Sequence, residues 1–320
     1  MSEELTPVRE WKVSGVGKLT LEKVARVAEY VEDVALFNPE ELADRAGIDV
    51  EKAMLIVRAA RRLVRSREGT KRAFKGTEYA RMLDARDMFT TGVRAIDELL
   101  GGGVYVWDIY EFAGEFGSGK TQLCHQLAVT VQLPPGKGGL GGGAVFIDTE
   151  GTFSPSRIEA MGKKFGVENP LENIYVVRPL NVDELEEIVI EELPHIIREG
   201  ARLLIVDSII ALYRAEFKGR EMLAARQQRI NYLLDWLKRY ARRYNMAIAI
   251  TNQVLTQPVP WGAALKLPAG GNIIAHASTH RFLMRRSGDS WVIECIDSPR
   301  IARGASAKFV ITDRGVEDIK

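Results

Sequence analysis

Cysteine is scarce in this chain: Cys124 and Cys295 are the only two, far apart and outside any metal-ligand spacing. Neither a disulfide framework nor a cysteine metal site follows from them. No apolar run approaches the ~20 residues that a membrane helix needs. The opening Met1-Ser2-Glu3-Glu4 is acidic and lacks the basic-then-apolar order of a signal peptide. A reducing cytoplasm is therefore the expected compartment, with no membrane partner. Charge of one sign is also missing, since the net charge is +1. That excludes a global basic field, so any nucleic-acid contact must rest on locally concentrated basic residues. No repeat of fixed period is present.

What is present is an ordinary soluble composition, 46% hydrophobic and 27% charged over 320 residues. This length suits a large domain with a smaller one. Residues 1–66 carry helical spacing, as in Leu21, Val24, Ala25, Ala28 and Val31, and again in Ala53, Ile56, Val57, Ala60 and Val64. A small all-helical N-terminal domain is expected there. Residues 67–88 are polar, lack a sustained period and read as a linker, with Phe74 a lone aromatic. Residues 89–320 alternate apolar strands (Val104–Ala113, Gly143–Asp148, Leu203–Asp207, Met246–Thr251) with helical stretches (Glu115 onward, Ser156–Phe165, Asp183–Glu199, Leu223–Tyr244). Strands separated by helices predict parallel βαβ units, hence an α/β fold with a doubly wound, mostly parallel sheet. The tail from Trp291 reads as added antiparallel strands.

Gly114-Glu115-Phe116-Gly117-Ser118-Gly119-Lys120-Thr121 fits the P-loop pattern between a predicted strand and a predicted helix. Its glycines let backbone N–H groups curl around phosphates. Lys120 can reach the β- and γ-phosphates of ATP, and the Thr121 hydroxyl can ligate Mg²⁺. Asp207, ending an apolar strand, stands at the ligand edge of a parallel sheet and can complete the Mg²⁺ shell. Glu150 and Asp148 close another strand at that edge, and either carboxylate can activate a water; spacing does not choose between them. Gln253, beyond the strand ending at Thr251, can bond a γ-phosphate.

With these residues in place, the chain from about Gly15 to its C-terminus resembles the RadA recombinases and their eukaryotic strand-exchange relatives. The resemblance rests on Gly114 to Gln122 with Cys124-His125, on Ile147-Asp148-Thr149-Glu150-Gly151-Thr152-Phe153, on Leu203 to Ser208, on Ile250 to Val254, and on Gly270-Gly271-Asn272-Ile273-Ile274-Ala275-His276-Ala277-Ser278-Thr279. The last segment is specific to this group. The resemblance implies a RecA-like ATPase core and an N-terminal domain of helix–hairpin–helix character. It implies Glu150 as the catalytic carboxylate and Gln253 as the γ-phosphate sensor. It places Arg157 on the adenine, and His276 with Asp297-Ser298-Pro299 over the nucleotide of a neighbouring subunit. It implies single-stranded DNA contacts from Arg214, Arg220 and Arg226 in a first loop. A second loop, Val254 to about Ile274, would contribute Pro258, Val259, Pro260, Trp261 and Lys266. Gly15 and Gly17 would shape a hairpin toward DNA phosphate, with Arg58, Arg61, Arg62 and Arg65 adding charge. Phe74 would anchor one subunit in the next. ATP, Mg²⁺, single- and double-stranded DNA, further copies of the chain in a helical filament or ring, and mediator proteins are the implied partners, at the nucleoid.

Three positions depart from the family's pattern. Phe74-Lys75-Gly76-Thr77 replaces Phe-x-x-Ala, and an unpaired Thr77 hydroxyl in an apolar pocket would cost ~1–3 kcal/mol. Gly219-Arg220-Glu221 replaces Gly-Arg-Gly. After Asp297-Ser298-Pro299 come Arg300 to Arg303 instead of a proline and glutamates. Arg300 or Arg303 is expected to stand in part for a monovalent cation that some relatives hold at this cap. A mediator-type paralogue and a hexameric helicase are the rival expectations. The N-terminal domain and complete second loop weigh against the first, and Gly270 to Thr279 against the second.

Overall fold

The computed structural model describes residues 5–68, 73–257 and 265–319. The chain divides into two compact units, Met1–Ala85 and Arg86–Lys320.

In the first unit the helices are α1 (Lys18–Val24), α2 (Val31–Val34), α3 (Pro39–Ala46), α4 (Val50–Glu68) and α5 (Gly76–Asp84). Local chemistry sets several ends. α3 opens with Pro39 in its first turn beside Glu40 and Glu41, and it stops at Gly47, whose φ is 59°. The spacing from Leu21 to Val31 spans two helices, not one. The N-terminal segment crosses the gap, with Val8 N–H donating to Glu29 O at 2.8 Å and Val31 N–H to Thr6 O at 2.9 Å. Gly15 adopts φ 80°, which the turn before α1 requires. Gly17 is an extended N-cap with open space where a Cβ would go, so its glycine is not demanded by shape.

The stretch expected as a linker is not extended throughout. It contains α5, none of whose residues is buried. Glu78, Ala80, Arg81, Met82 and Leu83 favour helix, and Tyr79, Met82 and Leu83 fall at helical spacing, but nine residues are too short a run for that period to stand out. Phe74 and Thr77 are both exposed, and Phe74 lies 6.3 Å from the Tyr79 ring, centroid to centroid.

The second unit runs β1 (Met88–Phe89), α6 (Arg94–Leu100), β2 (Val104–Tyr105), β3 (Ile109–Gly114), α7 (Lys120–Thr130), β4 (Gly143–Asp148), α8 (Pro155–Phe165), β5 (Ile174–Val177), α9 (Val182–Glu187), α10 (Leu193–Arg198), β6 (Ala201–Asp207), α11 (Ala211–Glu216), α12 (Leu223–Arg243), β7 (Ala247–Gln257), β8 (Leu265–Pro268), α13 (Gly271–Ala277), β9 (His280–Ser287), β10 (Ser290–Asp297), β11 (Ser306–Thr312) and β12 (Gly315–Asp318). Among the described residues one sheet has the order β12-β11-β10-β9-β3-β7-β6-β4-β5, with β8 paired to β7 off that path. From β9 through β5 all neighbours are parallel. β9 to β12 form an antiparallel extension. Ala144–Ile147, Leu203–Val206 and Ala247–Ile250 are wholly inaccessible. Strands covered by helices on both faces read as unbroken apolar runs for this reason.

Three expectations are corrected. The strand Val104–Ala113 is two strands, broken at Trp107, which takes φ 72° and donates its N–H to Met246 O at 2.7 Å. The helix Asp183–Glu199 is α9 and α10 joined by a widened π turn, Ile188–Glu192. Pro194 lies two residues beyond it; its missing N–H and bulky ring favour such a break. β7 does not end at Thr251. It runs on to Gln257 and pairs with β8, Val254 opposite Pro268 and Leu255 opposite Leu267, so part of the expected second loop is a hairpin.

Candidate functional site

The carboxyl ends of β3, β4 and β6 and the middle of β7 face one cleft of about 1100 Å³, lined by every residue from Gly114 to Gln122 together with Glu150, Arg157, Asp207 and Gln253. In a parallel sheet this edge is where ligands bind. The sequence folds so because β3 ends in Gly114 and the chain must turn sharply into α7. A Cβ on Gly114 would overlap Ser118 Oγ and Met284 O, and Gly117 and Gly119 take φ 75° and 90°.

Lys120 Nζ donates to Gly114 O at 3.0 Å, to Glu115 O at 2.8 Å and to Ser118 Oγ at 3.2 Å. The ammonium is thus held over the loop's own carbonyls, where a phosphate would compete for it. Burial pulls its pKa below the usual lysine value, against the attraction of Asp207 and Glu150. The Phe116 side chain stands fully in solvent. Only its backbone can serve the phosphate.

Thr121 Oγ1 donates to Asp207 Oδ2 at 2.8 Å. Asp207 also accepts from Thr251 Oγ1. Burial raises its carboxyl above the ordinary range, and these two hydroxyls oppose that shift. Among the described residues no cluster of three or more His, Cys, Asp and Glu could hold a metal. Thr121 and Asp207 are instead a pair of hard oxygen donors. That set fits Mg²⁺, which keeps waters and phosphate oxygens as its other ligands.

Glu150 Oε1 accepts from Ser208 Oγ at 2.6 Å and from Gln253 Nε2 at 3.2 Å. Asp148 is committed elsewhere: it accepts the N–H groups of Thr152 (2.9 Å) and Phe153 (3.1 Å) and lies near Arg178. It clamps the turn after β4, while Glu150 stands in the cleft. Ser208 was missed by sequence reasoning, although it directly follows Asp207. Trp291, Ile311, Thr312 and Asp313 also line the cleft. They come from the antiparallel tail, so no local motif points to them.

Arg157 donates to Gln122 Oε1 at 2.8 Å, to Asp313 O at 2.7 Å and to Thr312 O at 2.9 Å. These bonds fix its planar guanidinium at one end of the cleft. His276 on α13, Asp297 at the end of β10 and Pro299 are exposed and do not line this chain's own cleft.

Of the basic residues expected in the first DNA loop, Arg214 belongs to α11 and Arg226 to α12, leaving Arg220 in the turn between them. Arg214 Nη1 donates to Gln253 Oε1 at 2.6 Å. The Glu221 carboxylate folds back over Gly219. Lys266, on β8, is paired with Glu115 at 2.8 Å. Pro258, Val259, Pro260 and Trp261 lie outside the described residues.

Arg300, expected at the cap, has partners within its own chain. Its guanidinium donates to Asp108 Oδ2 at 2.9 Å, lies 2.8 Å from His280 Nε2 and stacks over Tyr105 at 4.6 Å. Burial works against the Asp108 charge, but His280, Arg86 and Arg300 outweigh it and hold that carboxyl low. Within this chain Arg300 is thus paired with Asp108, while its side chain stays about one third exposed. Arg303 is exposed.

The sheet order, the P-loop and the Thr121–Asp207 pair define a P-loop nucleotide-binding core of the RecA-like class. The sequence model of the family described as Rad51 matches residues 86–319. The chain is also 38% identical over 312 residues to the DNA repair and recombination protein RadA of Metallosphaera sedula, covering 96% of this chain and 94% of that protein. The chain belongs to the Rad51 family.

Proposed function

We propose that this protein is an ATP-dependent DNA recombinase. It assembles as a helical filament on single-stranded DNA and catalyses homologous pairing and strand exchange in recombination and repair, in the cytoplasm on the nucleoid. The observation that carries the reading is the chain of contacts Arg214–Gln253–Glu150–Ser208. It joins a basic residue beside the first DNA loop to the carboxylate best placed to activate water. Such a path suits hydrolysis that responds to DNA.

The P-loop backbone and Lys120 bind the triphosphate, and Arg157 with Gln122 presents a flat polar surface for the base. Thr121 and Asp207 would hold Mg²⁺, which when bound draws charge from the phosphate oxygens. Glu150 accepts a proton from the attacking water, oriented by the Ser208 hydroxyl. Gln253 and Arg214 carry the change at the γ-phosphate toward the DNA elements. Arg214, Arg220, Arg226 and Lys266 supply salt-dependent backbone affinity, and Pro258 and Val259 separate bases. His276, Asp297 and Pro299 complete a neighbour's site, with Phe74 and Thr77 at the joint between subunits. Residues 1–66, through Gly15 and Gly17, add contacts to duplex phosphate, and mediator proteins regulate loading.

Exchange of a labelled strand between a single-stranded oligonucleotide and a homologous duplex, with Mg²⁺-ATP, tests the reading. Homology-dependent exchange is expected, with none from Lys120→Ala and none with a heterologous duplex. DNA-stimulated hydrolysis without exchange would instead indicate a paralogue that modulates a recombinase. Thr77 and Glu221, both departures from the family pattern, are the observations that favour that second reading.

With Arg300 occupied by Asp108, Arg303 is the residue we assign to the cap cation. DNA-stimulated ATPase rates are expected to agree within about twofold in sodium and potassium buffers. Strong potassium dependence would show that a bound ion, not Arg303, does this work.

A further inference from the structure

Glu115 occupies the second position of the phosphate loop, where the loop needs only a backbone. Its side chain is nevertheless engaged. The carboxylate holds Lys266 Nζ at 2.8 Å, while its own carbonyl accepts Lys120 Nζ at 2.8 Å. One residue therefore touches both the lysine that serves the triphosphate and a lysine of the β7–β8 hairpin. Lys266 sits opposite Thr256 in that hairpin, three residues up the strand from Gln253. Gln253 makes the corresponding contact on the other side, accepting from Arg214 while donating to Glu150. Two cations assigned to DNA are thus each bonded to a residue lining the nucleotide cleft.

Resting on the recombinase reading, we propose that the Glu115 carboxylate competes with a DNA phosphate for Lys266, making Glu115 a positioning residue that couples the phosphate loop to occupancy of the second DNA loop. A phosphate oxygen and a carboxylate oxygen are alternative partners for a lysine at this distance. When Lys266 moves to DNA, the Glu115 side chain is released. The peptide that anchors Lys120 then shifts more freely toward the triphosphate. The pair is about half exposed, 48% for Lys266 and 58% for Glu115. Water screens such pairs, so the competition is worth roughly two- to fivefold in binding. Its signature is therefore non-additivity more than size.

The test is a double-mutant cycle on the full chain, using fluorescence anisotropy with a labelled oligo-dT strand. Glu115→Gln is expected to tighten binding about two- to fivefold. Lys266→Met is expected to weaken it and lower the salt slope by about one. The double variant should bind like Lys266→Met alone, because without the lysine there is nothing left to compete for. In steady-state kinetics the Glu115→Gln change in KM for ATP should appear without DNA and vanish at saturating DNA. Equal tightening by Glu115→Gln in both backgrounds would overturn the proposal, since it would report only a lost surface charge. No tightening at all would overturn it as well. Failure of every form to bind the strand would remove the recombinase reading itself, and this proposal with it.

Discussion

Replacing Glu150 by glutamine is expected to lower DNA-stimulated ATP hydrolysis by about 10²–10⁴-fold, the usual worth of a general base. The geometry separates this loss from a binding defect. On the proposed reading nucleotide affinity rests on the loop Gly114 to Thr121, including Lys120, and no hydrogen bond joins that loop to Glu150 among the described residues. An amide oxygen can still accept from Ser208 Oγ, now 2.6 Å from Glu150 Oε1. The local structure should therefore survive, and only the capacity to take a proton is removed. Both donors reach the same oxygen, Oε1; among the described residues no bond reaches Oε2, which keeps its lone pairs for water. The checks are phosphate release and equilibrium binding of a fluorescent ATP analogue. Affinity should stay within about threefold. Filaments formed with ATP on single-stranded DNA should persist far longer than those of the parent, because hydrolysis no longer loosens them. Hydrolysis within tenfold of the parent would show that Glu150 is not the base. Asp148 would not be its natural replacement, since that carboxylate is already bound to two backbone N–H groups.

The parts of this site that the sequence reveals are those written in consecutive residues. The P-loop, Glu150 after β4 and Asp207 at the end of β6 all follow apolar runs long enough to identify their strands. Once the sheet is parallel, those strand ends share one edge without further information. The parts that stay hidden depend on distant partners. Trp107 breaks a strand because Met246 O receives its N–H across the sheet edge. β7 outlasts its apolar run because β8 pairs with it, not because Val254 to Gln257 favour strand more than other residues do. Arg300 reads as a free cation until Asp108, 192 positions earlier in the chain, comes beside it. Helix α5 is hidden for a different reason: it is nine residues long, with Tyr79, Met82 and Leu83 the only large apolar residues on its face, so its period is too brief to stand out. The departures from the family pattern thus divide into two kinds. Arg300 finds a partner within its own unit and is explained there. Thr77 and Glu221 are exposed, and nothing within the chain explains them.

Acidification is expected to destabilise the ATPase core through His125. This histidine lies on α7, fully buried, stacked on Phe146 and tilted against Phe153 at centroid distances of 5.3 and 5.4 Å. Its Nε2 accepts the Ser154 N–H at 3.0 Å, so the ring must be neutral at that nitrogen. Burial is the main cause that pushes its pKa down to about 4; the Thr121 backbone opposes it and the Arg157 charge adds to it. In the unfolded chain the value returns to ~6.5. Between those two values the unfolded state binds a proton that the folded state refuses. The stabilisation is therefore complete above about pH 6.5 and is lost as pH falls toward 4, by about 3 kcal/mol in all and roughly 2 kcal/mol by pH 5. The same proton matters for function. Ser154 immediately precedes α8, which carries Arg157, and it lies four residues after Glu150; charging His125 removes the acceptor that ties this segment to the P-loop helix. Urea unfolding of the parent and His125→Gln at pH 7.5 and pH 5 separates this group from the carboxylates, which titrate in both. The glutamine variant loses ring stacking and should be weaker at neutral pH. Its further loss on going to pH 5 should be smaller than the parent's by about 2 kcal/mol. Parallel losses in the two proteins would mean that His125 is protonated or solvated in the folded core, and that the acid sensitivity arises elsewhere.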